Sequence, residues 1–146
     1  MRLLFRTPVK KDFLFIKEKF TRELFLYLAP PWATIDIKKF DGCKTGDEIH
    51  VHINQSGLKQ EWVSLITDEI QTDDEWCFVD EGKVLPWPMT YWKHRHRVLK
   101  MSNGHSEIVD DIHFECSPKW MNYPTYAVVY AVMGIRPSRY KKFFEG

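Results

Sequence analysis

Residues 88–97 read PMTYWKHRHR and hold the most informative pattern in the chain. Successive side chains of a β-strand point to opposite faces of a sheet. Trp92, His94 and His96 therefore share one face, while the strong bases Lys93, Arg95 and Arg97 occupy the other. This alternation predicts a strand at 91–101 that presents two imidazoles beside an indole.

The next apolar segment, residues 107–116, supplies an acidic partner for these histidines. Asp110 shares a strand face with Ile108, Ile112 and Phe114. If that face and the Trp92 face both look inward, two imidazoles and one carboxylate converge. Such a cluster suits a structural or ligand-contacting role, which we favour. Acid–base catalysis and a divalent metal bound by two histidines and a carboxylate are the alternatives.

In the sequence around these segments, hydrophobic residues tend to alternate with polar ones from residue 35 to residue 116, as they do in strands with one buried face. Short turns rich in Gly, Asn and Asp separate the apolar segments. Together with a strand at 2–8, the pattern predicts an antiparallel sheet of about seven strands. The other six strands are expected at 35–40, 48–53, 61–68, 75–80, 91–101 and 107–116.

Helical spacing appears near both ends of the chain. Phe13, Ile16, Phe20 and Leu24 recur at intervals of three or four after Asp12, a plausible N-cap. A break near residues 20–21 predicts two short helices, and the prolines at 30 and 31 must end the second.

A further helix is predicted at 126–133, with Tyr126, Val129, Tyr130 and Met133 on its apolar face. Gly134 and Pro137 should break it before residues 139–144 resume. The basic residues of this last segment are expected to serve the negative end of the helix dipole: Arg136, Arg139, Lys141 and Lys142.

These elements predict an α+β fold in one domain, residues 1–146. A long antiparallel sheet twists and curls, so the terminal helix buries its apolar face on the concave side. Space remains between sheet and helix unless bulky side chains fill it. Aromatic residues are 15% of the chain, more than a surface accommodates, so most should face a core or a cavity.

Composition excludes several classes of protein. The net charge of +1 argues against nucleic-acid and membrane-surface partners, and no apolar run is long enough to cross a bilayer. The three cysteines form no CxxC pair, so we expect no disulfide framework, no zinc ribbon and a cytoplasmic location. Since a metal at His94, His96 and Asp110 is only an alternative, we expect no metal site. Lys44 is expected to lower the pKa of Cys43, although no histidine is placed to make that thiol a nucleophile. No motif indicates a cofactor.

The sequence resembles ligand-binding SRPBCC proteins of the START / Bet v 1-like superfamily, also called the helix-grip fold, in their polyketide cyclase-like bacterial branch. The W-x-H-x-H strand after Pro88 and Met89 carries the resemblance, which spans nearly the whole chain. Other matching positions are Leu28, Pro30, Pro31, Trp32, Gly46, Trp62, Ile66, Asp80, Gly104, Ser106 and Asp110. The chain departs from the family pattern at Trp87, at Ser106 and at the helix residues Gly134 and Pro137.

The resemblance implies a curved sheet wrapped around a C-terminal helix, with a cavity for a lipid-, polyketide- or isoprenoid-like molecule between them. The expected ligand-contacting residues are Trp62, Trp76, Phe78, Trp92, His94, His96, Asp110, Phe114 and Tyr130. Two alternatives stay open. One is a cyclase or dehydratase that uses His94, His96 and Asp110, and the other is a homodimer that acts through an exposed sheet edge.

Overall fold

A computed structural model describes residues 1–146 and contains seven strands and four helices. The strands are β1 (Arg2–Val9), β2 (Thr34–Phe40), β3 (Glu48–Gln55), β4 (Leu58–Gln71), β5 (Glu75–Val84), β6 (Met89–Lys100) and β7 (Ser106–Cys116). The helices are α1 (Phe13–Glu18), α2 (Arg22–Tyr27), α3 (Asn122–Gly134) and α4 (Arg136–Glu145), with a 3-10 turn at Lys119–Met121.

All seven strands form one antiparallel sheet in the order β1-β7-β6-β5-β4-β3-β2. From β2 to β7 each strand pairs with the next in sequence, and β1 closes the far edge against β7. Register shifts in β2 and within the β4–β5 and β6–β7 pairs are the kind of irregularity that bends strands. The predicted meander and α+β class are confirmed.

The turn between β3 and β4 is shorter than the sequence indicated. Asn54 and Gln55 continue β3, and only Ser56 and Gly57 connect the strands, with φ of 53° and 80°. Two consecutive positive φ angles are the geometry of a type I′ hairpin, whose twist matches that of the flanking strands. Both strands therefore run to the turn, and β4 exceeds its predicted limits at both ends.

The predicted helix breaks are confirmed. Asp12 caps α1 by accepting from the Leu14 N–H at 3.0 Å, and a new helix begins at Arg22. The C-terminal helix divides at Ile135, with Pro137 in the first turn of α4, where a missing N–H is tolerated. For the same reason Pro124 does not delay α3, which begins at Asn122 and not at residue 126.

Two apolar clusters cover the concave face of the sheet. In the first, α1, α2 and α4 close over β5 and β6, with Phe20, Trp76, Phe78 and Tyr140 at the centre. In the second, Val129 and Met133 of α3 pack on Trp92 and Phe114. No helix of the chain combines the length and the apolar character needed to span a membrane.

Candidate functional site

A cavity of about 490 Å³ lies between the concave face of the sheet, α3 and the segment after α2. Of the 31 residues that line it, 19 are hydrophobic, including Ile49, Val51 and Met133. Trp32 and Trp87 border the cavity and stay 47% and 72% exposed, so they mark its opening. The structure therefore contains the cavity between sheet and C-terminal helix that the family resemblance implies.

The polar end of the cavity holds two buried histidine–aspartate pairs. Nε2 of His94 lies 2.8 Å from Oδ1 of Asp110, and Nε2 of His96 lies 2.7 Å from Oδ2 of Asp80. Both histidine residues are only 2% exposed. The predicted inward face of β6 is correct, and so is the pairing with Asp110.

Asp80 is the partner that sequence reasoning missed. It matched the family pattern, but we assigned it no contact. Its Oδ1 accepts from Nε1 of Trp92 at 3.1 Å and from the Ser64 hydroxyl at 3.3 Å, while Oδ2 accepts from His96. The signal that would have found it is the strand order, because β5 flanks β6 on the side opposite β7 and places Asp80 across from His94.

The protonation states follow from burial and from these bonds. Burial alone would raise the pKa of Asp110, but the bond from His94 and nearby positive charge lower it to about 2. For Asp80, the bond and charge of His96 likewise outweigh burial and lower its pKa. Burial, reinforced by the adjacent His94, lowers the pKa of His96 to about 4. Near neutral pH the carboxylates are therefore ionised, and neutral His96 carries its proton on Nε2, since a carboxylate only accepts.

Arg136 supplies the fixed positive charge at the polar end of the cavity. The sequence indicated a different role for this residue. We expected a helix-dipole contact, but Arg136 begins α4 and borders the cavity. Its Nη1 lies 3.7 Å from Oδ1 of Asp110, an ion pair too long for a hydrogen bond. The spacing Val129, Met133, Arg136 was the missed signal, because it places Arg136 on the buried face of the C-terminal helices.

Tyr140 completes the cluster from one turn further along α4. Its hydroxyl donates to Oδ1 of Asp110 at 3.3 Å, and the side chain is fully buried. Burial and the negative charge of Asp110 raise the pKa of Tyr140, so it stays protonated and serves as a donor. Asp110 is therefore held from β6 and from α4.

Four predicted ligand-contacting residues line the cavity: Trp62, Trp92, His94 and His96. The other five do not. Trp76 and Phe78 face inward but lie beneath Phe20, Phe114 is enclosed in the cluster under α3, and Asp110 sits behind His94.

Tyr130 is misplaced in the prediction. It is 56% exposed on the outer face of α3 and packs against Phe5. Helical spacing alone grouped it with Val129 and Met133, but the buried stripe of α3 is narrower than that group.

A metal centre fits the observed histidine geometry poorly. Asp80, His94 and His96 each offer a ligand atom within 4.8 Å of the others. However, the two rings stack with centroids 3.6 Å apart and planes 27° apart, so their lone pairs run nearly side by side. An ion at ~2.1 Å from a nitrogen of each ring would lie well outside at least one ring plane.

Neither a protein-family model nor a curated protein matches this sequence. Solved structures do match. The Zhui aromatase/cyclase of Streptomyces sp. R1128 superposes with a TM-score of 0.72 at 12% identity, covering 99% of this chain and 93% of that one. A START superfamily protein of Mycobacterium smegmatis gives a TM-score of 0.68 at 9% identity, covering 99% and 97%.

A plant structure of the same architecture also matches. The major latex-like protein 151 of Panax ginseng gives a TM-score of 0.61 at 18% identity, covering 95% of each chain. Identities this low carry the fold and no residue roles. The chain therefore has the START / Bet v 1-like helix-grip fold.

Proposed function

We propose that this protein binds a hydrophobic small molecule of lipid-, polyketide- or isoprenoid-like character in the cavity between the curved sheet and α3. The observation that carries the proposal is the cavity itself, whose 490 Å³ and mostly apolar walls lie within the range of small-molecule sites. A few polar groups at one end would orient the ligand, and the exposed indoles at the other end provide an apolar entrance.

The apolar walls limit the affinity that we expect. Burying ~300 Å² of apolar ligand surface at ~25 cal/mol per Å² favours binding by about 7 kcal/mol. Loss of ligand translation and rotation offsets a large part of that gain. We therefore expect dissociation constants nearer millimolar than micromolar for a ligand held by the walls alone.

Contacts within the polar cluster support binding over acid–base chemistry as the use of this site. Both histidines already bond a carboxylate through Nε2, and Nδ1 of His96 is buried without a partner. A general base must come within hydrogen-bond reach of the proton that it removes. The ring of His96 instead packs against Phe78, Phe20 and Phe25.

The test is to fill the cavity from α3 and to compare that change with one on the outer face. Val132 borders the cavity, and Ala131 beside it is exposed. Nile red, an uncharged fluorescent probe, should bind the natural protein and Ala131→Trp, and should bind Val132→Trp at least about tenfold more weakly. Native mass spectrometry of protein from cells should show a bound small molecule that Val132→Trp loses. Nile red binding that is absent, or equal in both variants, would refute the proposal.

A further inference from the structure

The Tyr140 hydroxyl interacts with the guanidinium of Arg136, but Arg136 keeps two buried donors that nothing in the protein satisfies. Its Nε and Nη1 are buried without a hydrogen-bond partner, and the nearest carboxylate oxygen, Oδ1 of Asp110, is 3.7 Å from Nη1. A buried cation with unpaired N–H groups is costly, so such groups normally find a partner. The side chain borders the cavity with 16% of its surface exposed, and Nη2, which is not closed off as Nε and Nη1 are, is the donor that an oxygen atom of a bound molecule can reach.

The charges around Arg136 decide what kind of oxygen fits. Asp80, Asp110 and Arg136 together carry one net negative charge, to which neutral His96 adds nothing. An added carboxylate would therefore leave uncompensated negative charge in a site with little water, which is expensive. A neutral acceptor satisfies the guanidinium without adding charge.

No other group around the site supplies the missing positive charge. Asp80 faces the cluster from β5, the two histidines from β6 and Asp110 from β7. From α4 only Arg136 and Tyr140 approach, and α2 with its preceding turn contributes aromatic rings. Cys43 is a neutral thiol, because burial and then the charge of Asp80 raise its pKa to about 12.

We propose that Arg136 donates to an uncharged carbonyl oxygen of the bound molecule, and that Asp110 makes the cavity reject carboxylates of the same size. This inference rests on the proposed function and narrows the ligand class to neutral, carbonyl-bearing hydrophobic molecules. The apolar body would lie along Val129, Val132 and Met133, which border the cavity on the helix that leads to Arg136.

Three aromatic probes of matched size test the inference by competition with Nile red at pH 7.5: 2-ethylnaphthalene, 2-acetonaphthone and 2-naphthoate. The ketone should bind about tenfold more tightly than the hydrocarbon, as expected for one hydrogen bond to a charged donor. The carboxylate should bind at least about tenfold more weakly than the ketone, although it is the stronger partner for a free guanidinium.

Two substitutions should shift these preferences in different ways. Arg136→Met should lower the affinity for the ketone to that for the hydrocarbon, and it should leave the affinity for the hydrocarbon unchanged. Asp110→Asn keeps an oxygen that accepts from His94 and Tyr140 but removes the negative charge. The affinity for 2-naphthoate should therefore rise at least about tenfold. Arg139→Met is the matched control. Arg139 lies outside the cavity lining, and its guanidinium donates a 2.7 Å hydrogen bond to the Tyr27 carbonyl.

Each result separates this inference from the function on which it depends. Equal affinity for ketone and hydrocarbon, or tight 2-naphthoate binding by the natural protein, would overturn the carbonyl assignment while leaving a hydrophobic site. Unaltered 2-naphthoate affinity in Asp110→Asn would overturn the role of that charge. Failure of Nile red and all three probes to bind would overturn both proposals.

Discussion

The rings of His94 and His96 stack 3.6 Å apart, and each bonds the carboxylate diagonal to it and not the one directly opposite. In the strand register, His94 faces Asp80 and His96 faces Asp110. The hydrogen bonds cross this pattern, so each carboxylate binds one ring through Nε2 and approaches Nδ1 of the other at 3.7–3.8 Å. A slip of one residue would turn these groups to the outer face, so the cluster fixes the register of β5, β6 and β7.

Removing the Asp80 carboxylate should be among the most damaging single changes. Asp80→Ala leaves His96, Trp92 and Ser64 without a shared acceptor, and we expect a loss of about 3–5 kcal/mol in the free energy of unfolding. Asp80→Asn retains one acceptor oxygen and should cost less than half as much. Chemical denaturation measures both. Asp68→Ala, at an exposed position of β4, should change stability by less than ~0.5 kcal/mol. An Asp80→Ala loss no larger than this control would contradict the structural role of the cluster.

The fold could be predicted because its signals are local. The period of two, the polar turns and the prolines at 30, 31 and 137 each act over a few residues, so one sequence indicates strands, helix breaks and their order. Strand ends were less certain. Whether Asn54 belongs to a turn or to a strand depends on the conformation of Ser56 and Gly57, and Asn is favourable in either.

Only the part of the candidate site that lies on β6 and β7 could be predicted from the sequence. His94, His96 and Asp110 follow from alternation, which is a property of single strands. Predicting the role of Asp80 would have required the register between β5 and β6. Predicting that of Arg136 would have required knowing that the first turn of α4 lies against the cavity. Trp76 and Phe78 were assigned to the cavity because sequence does not show which half of the concave face the helices cover.

The hairpin turn offers a clean test of backbone geometry. Gly57 has φ of 80°, so Gly57→Ala forces an alanine into a left-handed conformation and should cost about 1 kcal/mol. Gly134 lies in α3, where an added Cβ meets only the Phe5 ring at 4.0 Å, an ordinary contact. Gly134→Ala should therefore lose no stability. Thermal unfolding of the two variants compares them, and equal midpoints would contradict the type I′ assignment.

The expectation that Lys44 lowers the pKa of Cys43 is wrong. Burial, and after it the charge of Asp80, raises the pKa of Cys43 to about 12, and its Sγ donates to the Phe20 carbonyl at 3.7 Å. Cys77 is partly exposed, and burial raises its pKa as well. In the native protein at pH 8, iodoacetamide should modify Cys77 slowly and leave Cys43 and Cys116 unmodified, as mass spectrometry of the peptides would show. Denaturant should make all three react, and native labelling of Cys43 before Cys77 would contradict this burial pattern.

Acid should destabilise the protein well above the range in which carboxylates usually titrate. The pKa of His96 falls from its ordinary 6.5 to about 4 in the folded state. Between these values the unfolded chain binds the proton and the folded chain does not, so the free energy of unfolding decreases as the pH falls from 6.5 to 4. Asp110, with a pKa of about 2 in place of 3.8, adds a further loss below pH 4 with the same sign.

A titration of unfolding midpoints from pH 7.5 to 4.5 isolates the contribution of His96. His96→Gln replaces the titrating ring with an amide that can still donate to Asp80, so its midpoint should fall less with acid than that of the natural protein. His52→Gln, on the exposed side of β3, should keep the full acid dependence. Because each protein is compared with itself across pH, any constant loss from the substitution cancels. Parallel curves for the natural protein and His96→Gln would mean that the buried ring does not stay neutral, and the charge count around Arg136 would have to change with it.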